Sequence, residues 1–260
     1  MLDKLSADEA VSVAVLAREL GLSEVTIRSD LKSLEESGWL NRKRGKIASS
    51  LHPKILERRR ERQDEKNAIA QAAAGLVRDG DAVMIEAGTT TALIAKHLWG
   101  KRDIHVVTNS TLFFSYSRQY PNLQITITGG EFRRATESLV GPIALETIAR
   151  LNVRLAFVGT DGFSLDRGMT TNLVEGAEIV KAMKHHAETT ILLADSGKYG
   201  KIGFMQVFPL SEMNLILTDD RLPDQAFQEL TAAGLTAERV KVRPRPGIAS
   251  YPRRNHEKDC

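Results

Sequence analysis

Apolar residues in the first fifty positions recur at helical spacing, whereas those after residue 66 fall in short continuous runs, so the chain changes period partway along. Val13, Leu16, Ala17 and Leu20 form one stripe that stops at Gly21; Ile27, Leu31 and Leu34 form another at i, i+4 and i+7. Ser23 is a good N-cap for the second helix, and Glu24 suits the positive end of its dipole. The other side of that helix carries Val25, Thr26, Arg28, Ser29 and Lys32. Gly38 ends it, and Trp39-Leu40 followed by Arg42-Lys43-Arg44-Gly45-Lys46 predicts two short strands around a cationic turn. The pattern over residues 1–50 is a winged helix-turn-helix. Only Met1 to about Leu5 precede Ala10-Val11-Ser12-Val13, so its first covering helix is expected to be truncated.

Residues 51–65 read as a charged linker, helical after Pro53. From 66 to 242 apolar strands and helices alternate. A helix is predicted over 68–77, then the strand Ala-Val-Met-Ile-Glu (82–86), the turn Gly88-Thr89-Thr90-Thr91 and a helix through Leu98. Further strands are expected near 105–108, 124–128, 155–158, 190–194 and 215–217, and helices near 111–118, 142–151, 175–187 and 223–233. Short strands of this kind between helices indicate a doubly wound α/β domain with a largely parallel sheet. The proline-containing tail, 243–260, is expected to be disordered.

Composition narrows the setting. No run of 18 apolar residues exists and the N-terminus has no apolar core segment, so neither a membrane span nor a signal peptide is predicted. The one cysteine, Cys260, suits a cytoplasmic location. The net charge of +3 hides an asymmetry. Between Gly38 and Arg62 there are nine Lys and Arg against two Glu, while acids outnumber bases between 63 and 240. That basic stretch beside the winged helix is where a polyanion would bind, so double-stranded DNA is the expected partner. Thr26, Arg28 and Ser29 are expected near base edges, with Ser23, Arg42, Lys43 and Arg44 on phosphates and Lys32 on the same face.

In an open parallel sheet, ligands sit beyond the carboxyl ends of the strands. Here those ends carry Gly88-Thr89-Thr90-Thr91, Thr108-Asn109-Ser110, Gly129-Gly130 with Arg133, Gly159-Thr160-Asp161-Gly162, and Asp195 with Lys198. The Gly-Thr-Thr-Thr turn opens a helix and offers N–H groups and hydroxyls to an anion. Arg133 and Lys198 add positive charge, and Asp161 and Asp195 can accept from sugar hydroxyls, so five loops at one rim suit a small phosphorylated polyol. No catalytic residue, cofactor or metal is assigned. His185-His186 lacks ligands at metal spacing, and Trp39 and Trp99 read as packing residues. Glu178 reads as an exposed helix residue or a ligand contact. An acid/base set of Asp161, Glu178 and Lys198 would make the alternative, a sugar-phosphate isomerase fused to a DNA-binding module.

These motifs carry a resemblance. VSVAVLARELGLSEVTIRSDLKSLEESGWLNR, EAGTTT, VVTNS, GGEFRRATESLVG, FVGTDGF, GMTT and LLADSGKYG, in that order, resemble the DeoR family of bacterial sugar-operon repressors over about residues 8–240. The stretch VGTDGFSLDRGMTT with EIVKAM is similar to the glucitol (sorbitol) operon branch in particular. The resemblance implies a C-terminal sensor domain similar to ribose-5-phosphate isomerase, a phosphorylated sugar as inducer, and an oligomeric repressor, dimer or tetramer. It also implies that Gly88, Thr89, Thr90 and Thr91 hold phosphate and that Asp161, Asp195 and Lys198 help sense the inducer. Three positions depart from the family pattern: Glu86 stands where Asp is usual, Ser29 where a second Arg is common, and the wing reads Arg-Lys-Arg-Gly-Lys rather than His-Gly-Gly.

Overall fold

The computed structural model describes residues 12–36, 40–43 and 46–243, with backbone alone at 36, 41–43 and 46–49. The expected truncation of the first helix, Trp39, Arg44 and the tail from 244 lie outside the described residues. Helix α1 (Val13–Leu20) starts at Ser12, whose hydroxyl accepts the Val15 N–H at 3.3 Å, and ends at Gly21. Helix α2 (Glu24–Glu36) starts where the cap signal places it: Ser23 Oγ accepts the Thr26 N–H at 3.1 Å. Strands β1 (Leu40–Lys43) and β2 (Lys46–Ser49) then pair antiparallel, Leu40 opposite Ser49. The two predicted stripes meet in a small core of Leu16, Ala17, Ile27, Leu31 and Leu40, flanked by Val13, Leu20 and Leu34.

The charged linker forms α3 (Pro53–Arg60) and the first residues of α4 (Gln63–Gly75), the helix expected over 68–77, which begins earlier; Arg62 joins the two in a left-handed conformation, φ 48°. Pro53 sits at the start of α3, where its missing N–H costs nothing. Ile55 and Leu56 of α3, with Ile69, Ala70, Ala73 and Ala74 of α4, are buried in the same core cluster as the sheet residues Val83, Ile85, Leu155 and Phe157. The linker is therefore part of the packed domain.

The rest of the chain alternates as expected, with extra short strands. Strand β3 (Ala82–Ile85) leads through a 3-10 helix (Thr91–His97) to β4 (Ile104–Thr108), α5 (Thr111–Ser117) and β5 (Leu123–Ile127). A hairpin of β6 (Glu131–Arg133) and β7 (Ser138–Val140) precedes α6 (Pro142–Ala149) and β8 (Val153–Val158). Then come β9 (Gly162–Ser164), β10 (Gly168–Thr171), α7 (Val174–His185) and β11 (Ala187–Leu193). The last elements are β12 (Met205–Phe208), β13 (Leu215–Asp219), α8 (Asp224–Ala232) and β14 (Ala237–Val240). The helix expected through Leu98 is a 3-10 helix instead. Thr91 and Ile94, and Ala92 and Ala95, are buried in pairs three apart, which the tighter winding stacks on one side.

Seven strands form one sheet in the order β14-β13-β11-β8-β3-β4-β5, and every pairing is parallel. Side chains alternate across it. Val83 and Ile85 face α4, the 3-10 helix and α5, while Met84, Val107 and Ala156 join the cluster of α6 and α7. Both faces are covered, which is why these strands read as continuous apolar runs. The chain starts at the centre with β3, runs outward through β4 and β5, then returns to β8 and runs the other way. The reversal lies between β3 and β8, and in such sheets a crevice opens at that point.

Candidate functional site

At the reversal, the carboxyl ends of β3 and β8 enclose a cavity of ≈ 220 Å3. Its size is below the ~300–1,000 Å3 usual for drug-sized ligands and suits a metabolite of a few carbons. Glu86 through Thr91 line one wall; Gly159, Thr160 and Asp161 line the opposite one. Asn109 enters from the β4 loop, and Asp195 and Lys198 from the β11 loop. Thus four of the five expected loops converge.

The turn after β3 is held from several sides. Asn109 Oδ1 accepts the Ala87 N–H at 2.9 Å, and its amide donates to the Leu139 carbonyl at 3.1 Å. Asn109 therefore shapes the anion turn by gripping its backbone. Thr91 Oγ1 donates to the Gly88 carbonyl at 3.1 Å, and a Cβ at Gly88 would sit 2.9 Å from that hydroxyl. Only glycine leaves the turn this tight. Thr90 and Thr91 are buried, while Thr89 is half-exposed toward the cavity.

Two expectations fail here. Gly129 and Gly130 do not line the cavity, and neither does Arg133. Strand β5 is the sheet edge, two strands from the reversal, so the loop after it starts too far away. Gly130, at φ 107°, lets the chain pass close to β7 and α6: a Cβ there would lie 2.4 Å from the Val140 carbonyl and 3.2 Å from Ala144 Cβ. Arg133 pairs with Glu175 at 2.8 Å and Glu131 at 3.1 Å. What reaches the cavity from this region is Thr136 and Ser138, whose hydroxyls lie 2.7 Å apart. The proposed acid/base set is not assembled either, because Glu178 lies off the cavity and pairs with Lys181 at 3.0 Å.

The residues that sequence reading missed come from the linker and the first residue after it. Lys54, Arg58 and Lys66 all line the cavity. Arg58 Nη2 donates to Asp161 Oδ1 at 2.6 Å, and the other carboxylate oxygen accepts the Asn172 N–H at 2.8 Å. Arg62 donates to Ser196 Oγ at 2.9 Å and lies 3.6 Å from Asp195. The linker charge assigned to a polyanion is thus partly spent inside the molecule. A signal was present: Lys54 and Arg58 stand four apart on one helix face while Ile55 and Leu56 are apolar, an amphipathic helix that must dock.

Burial shifts three protonation equilibria in the cavity. The Glu86 carboxyl is pushed up to about 8, first by burial and then by the neighbouring Asp161 charge, against the Gly159 N–H it accepts and the Arg58 cation. Lys66 is lowered to about 8, mainly by burial, with its ammonium on the carbonyls of Arg58 at 2.5 Å and Glu61 at 2.9 Å. Burial, then the Arg58 charge, also lowers Lys198. At neutral pH Glu86 is mostly uncharged and Asp161 is paired with Arg58, so the surplus charge is positive. The site favours an anion with hydroxyl groups. Among the described residues no His, Cys, Asp and Glu group could hold a metal ion, and no helix is long and apolar enough to cross a membrane.

In the N-terminal unit, Thr26, Arg28, Ser29 and Lys32 are all exposed on α2, as predicted. Arg28 lies against Glu24 at 3.0 Å, and both are well solvated, so this contact holds the guanidinium only weakly. The Ser23 hydroxyl is engaged as the helix cap and lies 2.8 Å from Thr26 Oγ1. Arg42 and Lys43 fall on β1, and their own side chains lie outside the described residues. Trp99 is 78% exposed, which contradicts its reading as a packing residue.

Known proteins agree with both halves. The HTH-type transcriptional regulator GlpR of Haloferax volcanii is 33% identical over 91% of this chain and 94% of its own length. The HTH-type transcriptional repressor GlcR of Bacillus subtilis is 34% identical over 88% of this chain and 90% of its own. Among solved structures, a probable sor operon regulator from Shigella flexneri has a TM-score of 0.42 at 13% identity, covering 62% of this chain and 88% of that one. A D-ribose-5-phosphate isomerase in complex with phospho-erythronic acid has a TM-score of 0.40 at 18% identity, covering 53% and 54%. These two overlaps are too loose to bear on the site. Residues 1–51 match the DeoR-like helix-turn-helix domain and residues 61–220 the DeoR C-terminal sensor domain, so the chain belongs to the DeoR family of DNA-binding transcriptional regulators.

Proposed function

We propose that this protein is an oligomeric repressor of a sugar or polyol operon that leaves its operator when a phosphorylated sugar or polyol occupies the cavity between β3 and β8. Residues 1–50 would grip duplex DNA. Thr26, Arg28 and Ser29 would meet base edges, with Ser23, Lys32, Arg42, Lys43 and Arg44 on phosphates. Residues 66–242 would sense the ligand: Gly88–Thr91 with Lys198 on phosphate, and Asp161 and Asp195 on hydroxyls.

The observation that carries this reading is the Arg58–Asp161 contact at 2.6 Å. Arg58 belongs to α3, the helix that directly follows the winged unit, and its guanidinium lies inside the cavity. A phosphate competes with Asp161 for that guanidinium, so filling the cavity changes what holds α3. Unequal affinity for the two arrangements is what any effector needs to shift the equilibrium.

The test is release of a labelled operator by a panel of hexose, pentose and polyol phosphates, with each free sugar as control. One phosphate should release the wild type. Arg58→Gln also frees α3 from Asp161, so it should bind operator more weakly than wild type and respond at least tenfold less to that phosphate. Release by a free sugar, or an unchanged response in Arg58→Gln, overturns the reading. Operator affinity should also fall with salt, and removing one true phosphate contact should reduce the log–log slope by about 0.9.

A further inference from the structure

Arg58 and Arg59 are consecutive on α3 and diverge, one to the cavity described above and the other to a second, of ≈ 80 Å3. This second cavity is several times the ~10–15 Å3 that one water needs. It is lined by Arg59, Gln63, Lys66, Thr89, Lys96 and Tyr116 around one apolar residue, Leu93, with no Asp or Glu in the described lining. Five separate elements supply these groups: α3, α4, the turn after β3, the 3-10 helix and α5. We infer that this cavity is a second anion site, built for a phosphate group.

Three features support it. Lys96 Nζ lies 4.7 Å and Arg59 Cζ 5.9 Å from the centre of the same Tyr116 ring. Both cations therefore converge on one ring, where their N–H groups can donate together to an oxyanion. The neutral lining also suits an oxyanion, since Thr89 and Tyr116 offer hydroxyls and Gln63 an amide. Finally, Thr89 and Lys66 line both cavities, so the two anion sites share a wall. Two sources of phosphate fit this chemistry: the far end of a bisphosphorylated effector, or free inorganic phosphate. The first source rests on the effector reading proposed above; the second does not.

Calorimetric titration of the full chain separates them, using inorganic phosphate, fructose 6-phosphate and fructose 1,6-bisphosphate on wild type, Lys96→Gln and Arg59→Gln. Lys96 is exposed, so its replacement leaves the fold intact, which the melting temperature checks. If one ligand spans both sites, the bisphosphate binds at least tenfold tighter than the monophosphate, and either variant erases that preference while leaving the monophosphate within twofold. If the second site takes free phosphate, wild type binds two inorganic phosphates and each variant binds one. Unchanged phosphate stoichiometry together with an unchanged bisphosphate preference in both variants overturns the inference. Failure of every sugar phosphate to bind wild type would sink the effector reading alone, leaving the inorganic phosphate count to decide this one.

Discussion

Glu86 offers the most direct way to test the electrostatics of the cavity. Its carboxyl is raised from 4.5 to about 8, so at pH 7 about one in eleven is ionised and at pH 9 about ten in eleven. A phosphate monoester is a dianion across that range, since its second pKa is about 6. If the dianion binds only beside neutral Glu86, its dissociation constant should rise about tenfold from pH 7 to pH 9. Lys66, lowered to about 8, loses its proton over the same interval and adds up to about tenfold in the same direction. Wild type should therefore lose up to about 100-fold in affinity, and Glu86→Gln only about tenfold. Calorimetric titration at pH 7, 8 and 9 with the phosphate that releases operator measures both. The same variant can be read without ligand. Unfolding leaves Glu86 with its ordinary value, so stability is fully present below about 4.5 and is lost as pH rises toward 8. The melting temperature of Glu86→Gln relative to wild type should accordingly be higher at pH 8 than at pH 5. A parallel pH dependence in the two proteins, in both binding and melting, would refute the assignment of a neutral Glu86.

Other substitutions probe the scaffold. Arg154 donates to Asp81 Oδ1 at 2.7 Å and to the Leu76 carbonyl at 2.8 Å, tying the end of α4 to the start of β3. Arg154→Ala should cost about 1–3 kcal/mol by urea titration at pH 7. Because the Arg154 hydrogen bond holds Asp81 below its ordinary value, that cost should shrink as acid protonates the carboxylate. Gly130→Ala should destabilise the protein, since its Cβ would meet the Val140 carbonyl at 2.4 Å, without weakening phosphate binding to the correctly folded fraction. In the winged unit Ile27 is fully buried, and Ile27→Ala should cost about 2–5 kcal/mol of that unit's stability. The readout is loss of operator binding and faster proteolysis between residues 12 and 49, with the effector site unchanged; equal stability in both proteins would deny that this small core holds α2.

Much of the protein was written in local pattern. The period-3.6 stripes ending at Gly21 and starting after Ser23 determine α1 and α2, because each needs only neighbours three and four residues away. The apolar runs at 82–86, 155–158 and 190–194 likewise determine strands buried on both faces, and the turn after Ala87 follows from residues that admit little else. Which loops share a cavity is another matter. That depends on strand order, and no residue near Gly129 signals that β5 is the edge of the sheet, two strands from the reversal. The short strands β6, β7, β9, β10 and β14 were also illegible, since three or four residues carry too little periodicity to separate them from turns. The linker divides the two kinds of information most clearly. Its charge is plain in the sequence, but charge alone does not say where a cation is satisfied. Packing of Ile55 and Leu56 against the sheet turns Arg58 toward Asp161, 103 positions along the chain, and a contact of that range belongs to the tertiary structure alone.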